Sequence, residues 1–296
     1  MRFGLQVPHF HLSVPEDGLT DWLTEVAIAA DEGGYDSLWL MDHFFQLGGL
    51  DWLSPEEAPM LEAYSTLGFL SAHTRRVRLG ALVSPPPYRH PGVLAKTVTT
   101  LDVLSRGRAI LGLGAGWYED EARGLGIPFP TRAQRYEQLH ELILICRQML
   151  RGDRSAYAGQ HFQLVRPINE PRPVKRELPI LIGGDGPRKT LRLVAELADA
   201  CNIGGTYSQS IDDIRRLFGI LRDPCDSVGR DYESIERTVL DTFDVRGAGS
   251  IEEVVGRCRD MARVGVQTVI FNIPHAFDRT TVSALATALV EPLAEL

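Results

Sequence analysis

The chain has 296 residues, of which 44% are hydrophobic, and it carries a formal net charge of −8. This length suits one α/β barrel of about 250 residues with insertions, and the negative charge argues against a nucleic-acid partner, which would require a concentrated basic face. No window holds the roughly 20 uninterrupted apolar residues that span a bilayer, so the sequence does not indicate a membrane protein. The four cysteines include no C-x-x-C pair, so it indicates neither a zinc site nor a disulfide framework.

The first predicted element begins at the start of the chain. The segment Met1-Arg-Phe-Gly-Leu-Gln-Val-Pro8 predicts a strand and lacks the long apolar core of a signal peptide. We therefore expect a cytoplasmic protein.

Short apolar runs alternate with longer amphipathic segments along the whole chain. The apolar runs predict strands at Phe3–Pro8, Ser37–Met41, Val77–Val83, Arg108–Leu113, Ile180–Ile182, Ala200–Ile203, Ile235–Thr242 and Thr268–Asn272. The amphipathic segments predict helices at Gly18–Gly34, Leu61–Thr74, Pro91–Leu104, Arg132–Leu150, Pro187–Ala198, Ile211–Val228, Ile251–Val264 and Thr280–Glu291. The interval 153–177 interrupts this alternation and predicts a surface hairpin and loop inserted between the fourth helix and the fifth strand.

Strands that alternate with helices favour a parallel sheet with crossover helices, and eight such units close a TIM (β/α)8 barrel. A doubly wound sheet would carry its glycine fingerprint after the first strand, where this chain has Pro8-His-Phe-His11. We therefore predict an α/β TIM barrel in a single domain, 1–296. Its active site should lie in the loops at the carboxyl ends of the strands.

Two of these predicted loops are rich in glycine. Gly112-Leu-Gly-Ala-Gly-Trp117 follows the fourth strand, and Gly183-Gly-Asp-Gly-Pro187 follows the fifth. Glycines let backbone amides approach an anion or a flat ring that a Cβ would exclude, and the second run opens a predicted helix whose N-terminus can bind phosphate. Arg188 and Lys189 in its first turn would oppose the helix dipole unless an anion lies nearby.

Histidines and a carboxylate follow the first two strands. Asp42-His43 can hydrogen-bond a ring or move a proton near neutral pH, although Asp42 could instead cap the next segment while His43 is only solvated. His9 and His11 could bind a metal, but the later strand ends lack the further histidines that such a site needs. We expect them to line a pocket instead.

Several segments together resemble the bacterial luciferase-like family, in its branch that uses the deazaflavin coenzyme F420. They are Arg2-Phe-Gly-Leu-Gln-Val-Pro-His9, Ser37-Leu-Trp-Leu-Met-Asp-His43, Gly80-Ala-Leu-Val83, Tyr88-Arg-His-Pro-Gly-Val-Leu-Ala-Lys96, Thr100-Leu-Asp-Val-Leu-Ser105, Gly112-Leu-Gly-Ala-Gly-Trp-Tyr-Glu-Asp-Glu121 and Ile180-Leu-Ile-Gly-Gly184. The resemblance covers nearly the whole chain in the right order.

The resemblance implies a TIM barrel with a flavin or deazaflavin ring across its carboxyl mouth, and a homodimer. It implies a non-proline cis peptide near Leu82-Val83 under the ring, with Asp42 and the proton-exchanging His43 as catalytic residues at the ring edge. The rest of the cofactor would be held by Gly112, Gly114, Ala115, Gly116, Trp117, Gly183, Gly184, Asp185 and Gly186.

The chain departs from relatives that oxidise a sugar phosphate, because Trp117 stands where they carry a glutamate. The aromatic residues Phe10, Phe44, Trp52, Tyr88, Trp117 and Tyr207 favour an apolar or aromatic substrate, in a pocket lined by His9, His11, Phe44, Tyr88 and Tyr207. We therefore expect hydride transfer between F420 and such a substrate. The alternatives are an FMN-dependent luciferase-like monooxygenase and a non-catalytic flavin-binding protein.

Overall fold

The computed structural model describes residues 1–7, 9–10, 16–47, 55–175, 177–205, 208–246, 249–274 and 277–294. Its barrel strands are β1 (Arg2–Val7), β2 (Ser37–Leu40), β3 (Arg78–Ala81), β4 (Ala109–Leu113), β7 (Ile180–Gly183), β8 (Ala200–Gly204), β9 (Glu236–Thr242) and β10 (Thr268–Asn272). A short hairpin, β5 (Tyr157–Ala158) and β6 (Gln163–Leu164), lies between β4 and β7 in the chain.

The helices are α1 (Leu19–Glu32), α2 (Ala63–His73), α3 (Pro91–Leu104), α4 (Glu119–Gly124), α5 (Arg132–Leu150), α6 (Thr190–Leu197), α7 (Ile211–Val228), α8 (Ser250–Arg263) and α9 (Arg279–Leu285). Among the described helices, none combines the length and the apolar character needed to cross a bilayer.

The eight barrel strands are all parallel and close in the order β1-β10-β9-β8-β7-β4-β3-β2. The predicted TIM barrel is therefore confirmed. Because the strands are parallel, all their carboxyl ends lie at one pole, where the loops build a common surface.

Several element bounds differ from the sequence-based expectations, and three of these differences lie beside the carboxyl ends of the strands. The short helix α4 lies in a segment that the sequence left as a loop, because its polar run EDEARG has no clear apolar period. Helix α6 begins at Thr190, three residues after the predicted start at Pro187, since 187–189 form a turn. Strand β3 ends at Ala81, two residues before the predicted Val83.

The barrel has an inner and an outer apolar core, because successive side chains of a strand point to opposite faces. Inside the barrel lies a cluster formed by Trp39, Leu82, Ile110, Leu181, Ala200, Leu240 and Ile270. The larger outer core lies between the sheet and the helices and includes Phe3, Leu38, Leu79 and Leu111. A strand that is buried on both faces has a continuous run of apolar residues, and the sequence shows such runs at the barrel strands.

The predicted surface hairpin is present, and one side chain of α5 fixes it. The Glu141 carboxylate accepts hydrogen bonds from the backbone N–H groups of Gln160, His161 and Phe162. A Cβ on Gly159 would lie 2.2 Å from Glu141 Oε2, so the turn requires a glycine there.

Trp39 fills the barrel interior and depends on a glycine in the neighbouring strand. Its ring is buried and donates through Nε1 to Ser37 Oγ at 2.8 Å. A Cβ on Gly80 would lie 2.6 Å from Trp39 Cζ3 and 3.0 Å from the Ile110 carbonyl oxygen. The residue at position 80 must therefore be small for β2, β3 and β4 to close around the indole.

We expect Gly80→Ala to lower the free energy of unfolding by about 1–3 kcal/mol, because the added methyl group overpacks a rigid core. Urea unfolding followed by tryptophan fluorescence measures the change. The matched control is Gly68→Ala in α2, where a Cβ meets no described atom within 4 Å. That control should be neutral or stabilising by up to about 1 kcal/mol, because alanine favours a helix over glycine. Equal effects of the two substitutions would contradict the packing argument.

Candidate active site

The carboxyl ends of the strands surround a cavity of about 330 Å³. Both glycine-rich turns line it, as do the ends of β2, β3, β8 and β9. Its lining residues are Asp42, His43, Leu82, Val83, Pro85, Tyr88, Gly114, Ala115, Gly116, Trp117, Arg132, Tyr136, Gly183, Gly184, Asp185, Gly186, Thr190, Asn202, Gly204, Gly205 and Leu240. This size lies within the range of small-molecule sites.

A non-proline cis peptide joins Leu82 to Val83, and both residues line this cavity. The isopropyl group of Val83 lies where side chains of the two glycine turns would otherwise stand. A Cβ on Gly114 would approach Val83 Cγ2 to 2.4 Å, and a Cβ on Gly183 would approach Val83 Cγ1 to 2.9 Å. Strand packing therefore accounts for these two glycines, whether or not a ligand is bound.

Gly112 also has a packing role. Its absent Cβ would lie 2.1 Å from the carbonyl oxygen of Ala81, and Gly112 is not among the residues that line the cavity. Gly116 differs, because it lines the cavity with a φ of +74°, a conformation that favours glycine. Of the glycines in this run, Gly114 and Gly116, which follow β4, therefore line the cavity, and Gly112, which lies within β4, does not.

The turn after β7 reaches the cavity through Gly183, Gly184, Asp185 and Gly186. Gly184 has a φ of +125°, and a Cβ on Gly186 would lie 2.8 Å from Thr190 Oγ1. Thr190 begins α6 and pairs with the Tyr136 hydroxyl at 2.8 Å. The placement of Arg188 and Lys189 in the first helical turn was wrong, since both are exposed in the turn that precedes α6.

His43 lies at the cavity wall and is held by a buried carboxylate. Its Nδ1 is 2.9 Å from Glu121 Oε2, and the Glu121 side chain is completely buried, whereas His43 is 15% exposed. Glu121 also accepts hydrogen bonds from the Tyr88 hydroxyl and from the backbone N–H groups of Phe44 and Phe45. Burial by itself raises the pKa of Glu121, but hydrogen bonds from His43, Tyr88 and Phe45 outweigh it, and the pKa lies below its ordinary value.

Asp42 has a different environment from its neighbour His43. Arg89 donates to both Asp42 oxygens, with Nη2 at 2.6 Å from Oδ1 and Nε at 2.7 Å from Oδ2. Ser84 Oγ donates to Oδ2 at 2.5 Å, and the Tyr64 hydroxyl pairs with Ser84 at 2.9 Å. The buried Asp42 carboxylate is thus a fixed anion that connects the loops after β2 and β3.

The predicted substrate-pocket residues lie at different places. Tyr88 lines the cavity, and the ring of Phe44 lies 5.2 Å from that of Tyr88. His9 is buried and is not among the residues that line the cavity, and its Nε2 lies 2.5 Å from the carbonyl oxygen of Pro274. His11 and Tyr207 lie outside the described residues, as does Trp52. The buried Phe10 packs edge-on against Trp22 and contributes to the core.

An aromatic cluster stands around His43 at the mouth. Trp117 is 60% exposed, stacks on Tyr118 with ring centroids 5.1 Å apart, and meets His43 edge-on at 5.9 Å. Tyr88 also meets His43 edge-on, at 6.5 Å. These rings give the mouth an apolar surface on the side of the imidazole.

Sequence reasoning missed Glu121, Arg89 and Arg132. Glu121 lies eight residues beyond the end of β4, too far along the chain to be counted as a strand-end residue. The run EDEARG of α4 does not show which of its acidic residues is buried, and only the structure identifies Glu121. Within the described residues, no group of three or more histidine, cysteine, aspartate or glutamate side chains could hold a metal ion.

Glu62 extends the Asp42 network to the start of α2. Its carboxylate caps this helix by accepting from the N–H groups of Tyr64 and Ser65, and it pairs with Arg89. Burial by itself raises the pKa of Glu62, but the hydrogen bonds from Ser65, Arg89 and Tyr64 lower it to about 2.

We expect Glu62→Gln to lower the free energy of unfolding at pH 7 by about 1 kcal/mol, since the half-exposed carboxylate is screened by water. The folded pKa lies below the ordinary value of 4.5, so ionised Glu62 stabilises the fold above about pH 4.5. That contribution is lost as the pH falls towards 2. Denaturant unfolding at several pH values should show the variant and the parent converging in this window. The exposed Glu177→Gln is the control, and a constant difference between parent and Glu62→Gln down to pH 2 would refute the assignment.

Comparisons with known proteins show which family the chain resembles. The family model described as luciferase-like monooxygenase matches residues 1–243. The F420-dependent glucose-6-phosphate dehydrogenase of Microbacterium testaceum (strain StLB037) is 35% identical over 222 residues, covering 72% of this chain and 61% of the relative. The 5,10-methylenetetrahydromethanopterin reductase of Archaeoglobus fulgidus is 27% identical over 266 residues, covering 88% and 71%. The chain thus spans about three fifths of the length of the dehydrogenases that it matches.

Solved structures show the same architecture. An F420-dependent secondary alcohol dehydrogenase, in complex with an F420-acetone adduct, superposes with a TM-score of 0.81 at 17% identity, covering 98% of both chains. The monooxygenase RslO1 of Streptomyces bottropensis also has a TM-score of 0.81 at 17% identity, covering 99% of both chains. At these identities the likeness shows the fold alone.

Proposed function

Since the chain belongs to the luciferase-like monooxygenase family, we propose that it is an oxidoreductase that transfers a hydride between coenzyme F420 and an organic, apolar or aromatic substrate. The observation that carries the proposal is the position of His43, which lines the cavity together with the Leu82-Val83 peptide and both glycine turns. The names of the F420-dependent dehydrogenases and of the reductase among its relatives support this choice of cofactor.

The cavity suits a flat ring with an anionic tail. Leu82 and Val83 offer an apolar floor, and Ala115 and Gly116 leave the adjacent wall free of bulky side chains. A second group of lining residues consists of Asp185, Gly186, Thr190 with its hydroxyl, and the cation Arg132. The N–H group of Gly184 does not belong to it, because it donates to the Asn202 carbonyl oxygen at 3.0 Å. We assign the ring to the floor and the phosphate to this second group.

F420 supplies the position that accepts or donates the hydride when it is bound. In the oxidation direction a substrate loses a hydride and a proton, so a base must take the proton. His43 is suited to this step, because Glu121 occupies its Nδ1 and leaves Nε2 for the substrate. Asp42, paired with Arg89 and Ser84, instead holds the loop that carries His43 in place.

The mouth favours an apolar or aromatic substrate. Trp117, Tyr118 and Tyr88 surround His43 with rings. Exposed aromatic surface beside a reactive imidazole is stabilised when an apolar ligand covers it.

The cytoplasmic location and the homodimeric state remain predictions.

Titration of the purified protein with F420 and with FMN tests the cofactor assignment. We expect F420 to bind with a dissociation constant in the micromolar range and to quench tryptophan fluorescence, because Trp117 lines the cavity. Without oxygen, an oxidisable apolar substrate should then bleach the violet absorption band of F420. Binding of FMN with oxygen consumption would instead establish a monooxygenase, and the absence of binding by either cofactor would refute both assignments.

The variant His43→Ala separates an enzyme from a flavin-binding protein. Removal of the imidazole should lower turnover by roughly 10²–10⁴-fold, the usual contribution of a general acid or base, with little change in F420 affinity. A parent protein that binds F420 but turns over no donor would favour the carrier.

We expect Trp117→Ala to lower kcat/KM for aromatic substrates by about tenfold, since one exposed ring contributes about 0.5–1.5 kcal/mol beyond its buried area. The dissociation constant of F420 should change much less. Trp117→Phe is the matched variant, because it keeps an aromatic ring and should retain most of the activity. An equal loss with small aliphatic and aromatic substrates would argue against substrate contact by this ring.

A further inference from the structure

Glu121 is a completely buried carboxylate beside the cavity, and its hydrogen-bonding partners other than His43 are all donors. Oε1 accepts from the backbone N–H groups of Phe44 and Phe45, and Oε2 accepts from the Tyr88 hydroxyl and lies 2.9 Å from His43 Nδ1. The side chain has no exposed surface. Four contacts of this kind are what an ionised carboxylate can accept.

This arrangement fixes the proton on the imidazole. An ionised carboxylate is only an acceptor, so His43 Nδ1 must carry the proton and donate it to Glu121. The lowered pKa of Glu121, in which the bonds from His43 and Tyr88 outweigh burial, agrees with an ionised state. No hydrogen bond joins Nε2 of His43 to the described part of the chain, and the ring lines the cavity.

The other charged and titratable groups near this pair have partners of their own. Asp42 is neutralised by Arg89, and the Tyr118 hydroxyl donates to Glu56 at 2.9 Å. Burial and the hydrogen bond to Glu121 raise the pKa of Tyr88, so its hydroxyl stays protonated. None of these groups offers Nδ1 an alternative partner.

We propose that Glu121 is the positioning residue of the site, which holds His43 in the Nδ1–H tautomer and presents Nε2 as the proton acceptor. The role of His43 in turnover rests on the proposed function, whereas the tautomer does not. Glu121 keeps its charge as Nε2 takes up a proton, and its carboxylate stabilises the imidazolium that forms. The same carboxylate links the loop after β2 to α4 by accepting from the N–H groups of Phe44 and Phe45. The position of the His43 ring and the site of its proton therefore both depend on the Glu121 side chain.

The variant Glu121→Gln gives a sharp test, because an amide has one accepting end and one donating end. The carbonyl oxygen must stay with the two backbone N–H donors at Phe44 and Phe45. The NH2 group then faces His43 Nδ1 and forces it to accept. The imidazole of this variant should therefore carry its proton on Nε2, the reverse of the parent.

Histidine labelled with ¹⁵N reports the tautomer directly in two-bond ¹H–¹⁵N correlation spectra. The spectra are recorded at about pH 9, above the range in which histidine titrates. His43→Gln identifies the signals of His43 by their loss. We expect the Nδ1–H form in the parent and the Nε2–H form in Glu121→Gln. A parent in the Nε2–H form, or a variant with an unchanged tautomer, would overturn the proposal.

Two further variants keep the test decisive. Glu121→Asp retains a carboxylate and should keep the Nδ1–H form, as should Tyr88→Phe, which removes only the other donor to Oε2. If Glu121→Gln fails to fold, the parent and these two variants still decide the tautomer. Retention of the Nδ1–H form in Glu121→Gln would mean that another group sets it.

Turnover supplies a second, separate measurement. With F420 bound, Glu121→Gln should lower kcat by about 10²-fold or more, as a wrong tautomer does in catalytic triads, and Glu121→Asp should recover part of it. The affinity for F420 should change less than threefold. If the parent has no F420-dependent turnover, the proposed function fails while the spectra still test the tautomer.

Discussion

The site depends on how closely three strand ends approach one another around Val83. Its isopropyl group occupies space that Cβ atoms would take at Gly114 and Gly183, and Gly112 approaches the carbonyl oxygen of Ala81 in the same way. These glycines leave room for the Leu82-Val83 peptide to line the cavity at the carboxyl ends of the strands. A parallel barrel brings the strand ends to one pole, and this close packing determines which backbone and side-chain groups line the cavity there.

Two buried carboxylates, Asp42 and Glu121, lie beside the cavity, and they differ in their hydrogen-bonding partners. Asp42 is bound by the guanidinium of Arg89, so the pair is a fixed brace between loops. Glu121 is bound by neutral N–H and O–H donors and by the imidazole of His43. Glu121 therefore has no permanent cation as a partner among the described residues, and it contacts the cavity-lining imidazole of His43.

The architecture was predictable because it depends on local patterns. Apolar runs and amphipathic segments gave the order of the strands and helices, and the resemblance implied the cis peptide that the structure contains between Leu82 and Val83. The sequence analysis missed helix α4 and began α6 three residues too early. A short polar helix and a turn before a helix have no distinct periodic pattern of apolar residues. The glycines at 112, 114 and 183 were interpreted as ligand contacts, although strand packing alone requires them.

The sequence by itself determined the parallel barrel and the pole at which the site lies, since both follow from the number and order of alternating elements. It also placed His43 and both glycine turns at strand ends. Only the tertiary structure decided what each polar group does, because the partners are far apart in the chain: Glu121 lies 78 residues from His43, and Arg89 lies 47 from Asp42. Hydrogen bonds between such distant residues form only when the barrel closes.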